Sequence, residues 1–157
     1  MAPSALTVGV ISDTHGLLRP AALHALRGAD AIIHAGDIGH PGILETLAAL
    51  APLTVVKGNI DTQPWCAALP DTAEFVHADV RLLVVHDLST LALDPVAAGY
   101  AAVVSGHSHK PGLSHRGTVL LLNPGSAGPR RFRLPISIAR LRIDAGGVSA
   151  ELIALDP

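Results

Sequence analysis

Four short polar runs, Asp13-Thr14-His15-Gly16, Gly36-Asp37, Gly58-Asn59-Ile60-Asp61 and Gly106-His107-Ser108-His109, each follow an apolar, strand-like stretch. Between them they supply carboxylate, imidazole and amide oxygen, the donors that hard and borderline divalent cations take. His86 adds a fifth position, closing the apolar run of residues 82–85. Five strand ends that deliver such donors to one place point to two metals. Asp37, a short side chain with two oxygens, is the candidate to bridge both ions. Where extended geometry persists beyond a strand, residues i and i+2 face the same way. Asp13 and His15 are therefore expected to share one ion, and His107 and His109 stand in the same relation. Gly16 lets the backbone turn away.

The elements that must position these residues follow from the apolar patterning. Residues 6–12 read as a fully apolar, β-branched strand that stops at the Asp13 loop. Pro20 suits the start of a helix over 21–27, with Gly28 at its end. Residues 31–35 are the next buried strand, Pro41 starts a helix through Leu50, and Pro52 closes it before a strand over 53–57. This βαβαβ order implies parallel pairing and right-handed crossovers.

The second half is predicted to be nearly all strand. Residues 74–85 form two short strands about a turn near Ala78-Asp79, Asp94-Pro95 starts a short helix, and 101–105 is the following strand. Strands over 112–115, 118–122, 136–143 and 148–155 come next, with turns at Arg116-Gly117 and Ala145-Gly146-Gly147. The expected class is α/β, a mixed sandwich in one domain over 1–157 rather than a single parallel sheet. In α/β folds ligands sit outside the carboxyl ends of the strands. Every candidate ligand lies at such an end or just beyond it, so the loops are expected to face one cleft.

Composition narrows the partners. With 49% hydrophobic and 15% charged residues and a mean hydropathy of +0.44, the chain has room for a homo-oligomer face, although sheets covered on both sides account for the same figures. A net charge of -2 lacks the footprint of a duplex-binding protein, so phosphate binding should be local. Cys66, the single cysteine, makes no internal disulfide and is expected to be an inert thiol. Residues 1–6 lack the features of a signal peptide. No run reaches the roughly 18 apolar residues of a membrane span, because Glu45 and Pro52 interrupt the longest. The expectation is a cytoplasmic protein with no membrane partner.

Taken in order, Asp-x-His, Gly-Asp, Gly-Asn, the strand-terminal His86, Gly-His-Ser-His and Asn123-Pro124-Gly125-Ser126 closely resemble the calcineurin-like metallophosphoesterase superfamily. Gly-Asn-x-Asp and Asn-Pro-Gly-Ser in a short chain are similar to its small bacterial and archaeal phosphodiesterase branch. The resemblance runs from Leu6 to about Arg140. It implies a sandwich of two mixed β-sheets flanked by helices. It also implies one metal held by Asp13, His15, Asp37 and His109, and another held by Asp37, Asn59, His86 and His107. Manganese is the activating ion the resemblance implies, with Ni2+, Fe2+, Mg2+ or Zn2+ as substitutes; mixed N/O ligation by itself does not choose.

Two positions depart from the pattern. Larger superfamily members carry a histidine after the Gly-Asn pair, thought to protonate the leaving group, and here that residue is Ile60. His86 is followed by Asp87 where glycine is common, so it is placed by its position at the strand end.

The implied activity is phosphodiester hydrolysis by a hydroxide bridging two divalent metals, with Asp37, Asn59 and His107 as catalytic residues and a small phosphodiester as substrate. With Ile60 in place of an acid, activated, aryl-like leaving groups are expected to react best. The alternatives are a phosphomonoesterase on the same scaffold and a non-enzymatic protein-interaction scaffold, which seven retained ligand positions argue against.

Other residues have two readings each. Asp61 either orients the Asn59 loop or is a local backbone acceptor. Arg131, like Arg130, is a candidate for substrate phosphate or a solvated loop charge, and Asn59 is a second candidate for substrate contact. Asn123-Pro124-Gly125 is a turn first and a possible polar contributor second. His34 is expected as a hydrogen-bonded neighbour of the site. His40 is a loop histidine or a replacement acid. His24, His77 and His115 are expected to be structural or exposed.

Overall fold

The computed structural model describes residues 5–155. The expectation about a leader falls largely on residues 1–4, outside the described residues.

β1 (Leu6–Ile11), β2 (Ala31–His34) and β3 (Leu53–Val55) pair in parallel, joined by α1 (Pro20–Leu26) and α2 (Pro41–Leu50), as the βαβαβ pattern predicts. Both helices open on a proline at the first turn, where a missing N–H costs nothing. On the other side of β1 run β9 (Ser137–Asp144) and β10 (Gly147–Ala154), both antiparallel to their neighbours, giving the order β10-β9-β1-β2-β3. The second sheet contains β4 (Thr72–His77), β5 (Val80–Val85), β6 (Ala102–Val104), β7 (Gly112–Arg116) and β8 (Val119–Asn123), in the order β4-β5-β6-β8-β7. Unlike the first, which is antiparallel on one side of β1 and parallel on the other, this sheet is parallel at its centre and antiparallel at both edges.

The two sheets pack face to face. Val8, Val10, Ile33 and Leu141 of the first sheet meet Leu82, Val84, Val104 and Leu122 of the second. On the outer face of the first sheet, Ile11, Ile32 and Ile138 are covered by Ala22 and Leu26 of α1 and Ile43 and Leu47 of α2. Burial on both faces is why β1 and β2 read as continuous apolar runs. The flanking helices serve the first sheet. The outer face of the second, with Leu83, Val85 and Val103, is covered by Leu88 of a single 3-10 turn and by Leu91 and Tyr100 of the connection that follows it.

The helix expected from Asp94-Pro95 does not form. Asp94 takes the Val96 N–H at 3.0 Å, the Ala98 and Tyr100 N–H groups close single turns onto Asp94 and Pro95, and Gly99 at φ 83° ends the run. A segment this short cannot overcome the cost of helix nucleation. The strand expected over 53–57 stops at Val55. Among the described residues no helix is long and apolar enough to cross a membrane.

Candidate metal centre

All seven candidate ligands lie beyond carboxyl ends of strands at one end of the sandwich. Asp13 and His15 follow β1, Asp37 follows β2 and Asn59 follows β3; His86 follows β5, and His107 and His109 follow β6. The extended continuation expected at Asp13-Thr14-His15 and at His107-Ser108-His109 is not what aligns them. Asp13 (φ 55°), His15 (45°), Asp37 (58°), His107 (71°) and His109 (62°) all occupy the left-handed region. Each such residue costs on the order of 1–3 kcal/mol and persists only where neighbours fix it. Here the fixing bonds are long-range: Asp13 N–H to Gly36 O at 3.0 Å, His15 N–H to Asp37 O at 2.9 Å and Gly16 N–H to Ile38 O at 2.8 Å.

The result is two adjoining clusters. Asp13, His15 and His109 each offer an atom within 4.8 Å of the others, and so do Asp37, His86 and His107. Asp37 Oδ2 joins them, 3.5 Å from His15 Nε2 and 3.3 Å from His86 Nε2. Its other oxygen accepts the Ile60 N–H at 3.1 Å. Asn59 Oδ1 lies 3.0 Å from His86 Nε2 and 3.1 Å from His107 Nδ1. His109 Nε2 faces Asp13 Oδ1 at 3.4 Å.

This donor set fits divalent cations. Asp13 Oδ1 and His15 Nε2 are buried without a hydrogen-bond partner, a costly arrangement for isolated polar atoms. The second oxygen of Asp13 is already engaged, by the Ser12 hydroxyl at 2.7 Å and the His107 N–H at 3.1 Å, which leaves Oδ1 for an ion. His86 Nδ1 donates to Ala35 O at 2.7 Å, the orientation that presents Nε2 as a ligand. Burial pushes His86 down, but the Asp37 carboxylate and the Ala35 carbonyl outweigh it and hold the ring above its ordinary value. Burial also works against the Asp37 anion, yet His86 and the Ile60 N–H hold its carboxyl below the usual range. For His109, burial dominates and the pKa falls. An N/O set without thiolate suits several first-row ions.

The surrounding chain holds the clusters in register. Asp61 accepts N–H groups from Gly58 (2.8 Å), Asp37 (2.9 Å) and Ile38 (3.0 Å), so one carboxylate binds the loops after β2 and β3 together. Close backbone approach explains two glycines: a Cβ on Gly58 would collide with the Asp37 carboxylate, and one on Gly106 with the Ser12 hydroxyl. Asn123 donates to Gly106 O at 3.0 Å and Ser108 Oγ at 3.1 Å while its own oxygen takes the Gly125 N–H, so its turn also braces the histidine loop.

His34 is wholly buried beneath the site. Its Nδ1 accepts the Gly36 N–H at 3.0 Å, and its Nε2 pairs with Thr14 Oγ1 at 3.0 Å. Burial drives its pKa from 6.5 down to about 4. The unfolded chain therefore holds a proton that the folded chain lacks between pH 6.5 and about 4. Stability from this group is complete above that window, falls by roughly 3 kcal/mol as pH drops through it, and is flat below. Urea denaturation of the wild type and His34→Gln across the window checks this, with the variant expected to lose most of the slope.

Several candidates are not brought into the clusters. His40 caps α2, its Nδ1 accepting the Gly42 N–H at 2.9 Å. His24 lies on α1, and His77 and His115 lie on β4 and β7. Cys66 is buried and free. Arg131 is exposed, near enough to His109 for its charge to act on that ring. Sequence reasoning missed Asp87 as a site residue. Its Oδ2 lies 3.7 Å from His107 Nε2, and Ser89 holds its carboxyl below the ordinary range. The replacement of glycine after His86 was the available signal. The second cluster opens onto a depression of about 480 Å³ whose lining includes Lys57, Asn59, His86, Asp87 and His107.

Two facing mixed sheets with a carboxylate–imidazole double cluster at their common end form the architecture of the metallophosphoesterases. The chain belongs to the calcineurin-like phosphoesterase superfamily, whose domain profile matches residues 6–146. It is 34% identical to a probable metallophosphoesterase of Methanothermobacter thermautotrophicus, over 94% of this chain and 92% of that one. The fold is similar to that of an archaeal phosphodiesterase, with a TM-score of 0.79 at 22% identity, covering 96% of this chain and 100% of the other. It is also similar to that of Vps29 from Entamoeba histolytica, solved in complex with zinc, with a TM-score of 0.69 at 22% identity over 95% and 99% of the two chains.

Proposed function

We propose that the chain hydrolyses phosphodiesters with two divalent cations, Asp13, His15, Asp37 and His109 holding one and Asp37, Asn59, His86 and His107 the other. The observation that carries this reading is the position of Asp37 Oδ2, which faces a histidine of each cluster at 3.5 and 3.3 Å. When bound, such ions supply Lewis acidity toward phosphoryl oxygens and make water nucleophilic near neutral pH. Manganese is the first ion to try.

The chain's own groups define the rest. Asp37 is held as an anion, and Ile60 N–H fixes its carboxylate plane. Asn59 and His107 stand where the second cluster meets the open depression, and the His107 side chain is 46% exposed, so substrate meets these residues first. Asp87 beside them is anionic at neutral pH and disfavours the doubly charged phosphate of a monoester more than the singly charged diester. Ile60, 40% exposed, provides no proton at the position where the resemblance places a histidine in larger superfamily members, and His40 is engaged as a helix cap. The leaving group must therefore depart without a side-chain acid, which favours aryl esters. A small diester in a cytoplasmic setting fits this reading.

The test is to strip metal with a chelator, restore manganese, and compare aryl phosphodiesters and monoesters of rising leaving-group pKa. Manganese-restored turnover, faster for the diester and falling steeply with leaving-group pKa, is expected. Monoester preference would transfer the assignment to phosphomonoester hydrolysis, and a flat dependence would restore a proton donor.

A further inference from the structure

The loop after Ser126 is fastened to the metal site at its base. Ser126 Oγ donates to Asp13 O at 2.9 Å, Ala127 N–H to Ser12 O at 3.1 Å, and Arg19 reaches Gly128 O at 3.3 Å. Beyond this anchor run Pro129, Arg130, Arg131, Phe132, Arg133 and Leu134. The tip is closed by its own bonds, Leu134 N–H to Arg131 O at 3.1 Å and Arg130 Nε to Leu134 O at 3.2 Å. At its apex Phe132 has φ 54° and is 93% exposed, the most open of the exposed large hydrophobic residues. A bulky residue in the left-handed region with its ring in water is an unfavourable combination for structure alone.

Its setting is cationic. Phe132 and Arg133 line, with Leu134, a depression of about 720 Å³ that also includes Lys110, the residue directly after the candidate ligand His109. Lys57, Arg81, Arg140 and Arg142 pair with Asp71, Glu74, Glu151 and Asp144. Lys110, Arg130, Arg131 and Arg133 have no carboxylate partner among the described residues. In a chain of net charge -2, four unpaired cations around one exposed ring form a local positive field that attracts anions. Aromatic faces stack bases without regard to sequence, while guanidinium groups take phosphate oxygens.

We propose that Phe132, rimmed by Lys110, Arg131 and Arg133, is a platform on which the base of a nucleotidyl phosphodiester stacks while its phosphate reaches the adjoining cluster. This rests on the phosphodiesterase reading and narrows its substrate class to diesters carrying a nucleoside. The unpaired cations favour this occupant over an apolar partner surface.

Two measurements test it. In the first, the para-nitrophenyl ester of thymidine monophosphate is compared with methyl para-nitrophenyl phosphate, which shares its leaving group. Phe132→Leu is expected to lower the ratio of the two kcat/KM values about tenfold, and Phe132→Tyr to keep it. In the second, equilibrium dialysis in chelator compares a thymidine dinucleotide with dimethyl phosphate. The wild type is expected to bind the dinucleotide about tenfold more tightly, and Phe132→Leu to lose the difference. A ratio and a dinucleotide affinity both unchanged in Phe132→Leu overturn the platform, as does a wild type that ignores the dinucleotide but sediments with phosphatidylserine vesicles. If neither ester is hydrolysed while Phe132→Leu still weakens the dinucleotide, the hydrolytic reading fails and the platform stands.

Discussion

Asp37→Asn is expected to reduce manganese-dependent phosphodiester turnover by about a thousandfold or more while leaving the chain folded. The reason lies in how its two oxygens are used. Oδ1 accepts the Ile60 N–H at 3.1 Å, and an asparagine carbonyl takes over that bond. The amide nitrogen is then placed where Oδ2 faced His15 and His86 at 3.5 and 3.3 Å. An NH2 group has no lone pair to share with a cation, so both clusters lose their common ligand in one isosteric change. Elemental analysis after gel filtration should find less metal per chain than in the wild type. Full metal content with full activity would remove the shared-carboxylate reading altogether.

Asp61→Ala carries the second large effect, on stability. The carboxylate receives N–H groups of Gly58, Asp37 and Ile38 at 2.8 to 3.0 Å, with Gly39 at 3.4 Å, and is itself buried. Truncation leaves those donors unsatisfied where water has little access, at a cost of about 3 kcal/mol. His40→Ala, which removes an exposed helix cap, is expected to cost about 1 kcal/mol and serves as the comparison. Denaturant midpoints at constant m-value give both numbers. Metal affinity should fall with Asp61→Ala and stay with His40→Ala, because the lost bonds hold the loop that carries Asp37. A difference of less than about 1 kcal/mol between the variants would mean that Asp61 is an ordinary turn acceptor.

Much of this was legible in the chain itself, for identifiable reasons. Strand-end donors such as Asp13, Asp37 and His86 announce themselves because an apolar run stops abruptly at a polar residue, a signal contained within a few positions. The β1-α1-β2-α2-β3 order was legible on the same grounds. What was hidden depends on residues far apart. The left-handed backbone at Asp13 and His15 comes from bonds to Gly36 and Asp37, which no local propensity encodes. Asp61 looked like either a turn residue or a support, and only the packing of the β2 and β3 loops shows its carboxylate shared between them. Asp87 registered as a broken motif, since its proximity to His107 spans two strand ends. The segment after Asp94 misled because proline after aspartate signals a helix start whether or not enough chain follows to sustain one.

Each cluster draws on both sheets: Asp13 and His15 of the first join His109 of the second, and Asp37 of the first joins His86 and His107 of the second. Neither layer alone assembles either cluster. A sliding movement of one layer across the other would open both clusters together, so the greasy seam of Val8, Val10, Val84 and Val104 acts as the ruler for ligand spacing. Trimming a methyl group in that seam, from a side chain that offers no donor itself, is therefore expected to weaken the proposed grip on the ions.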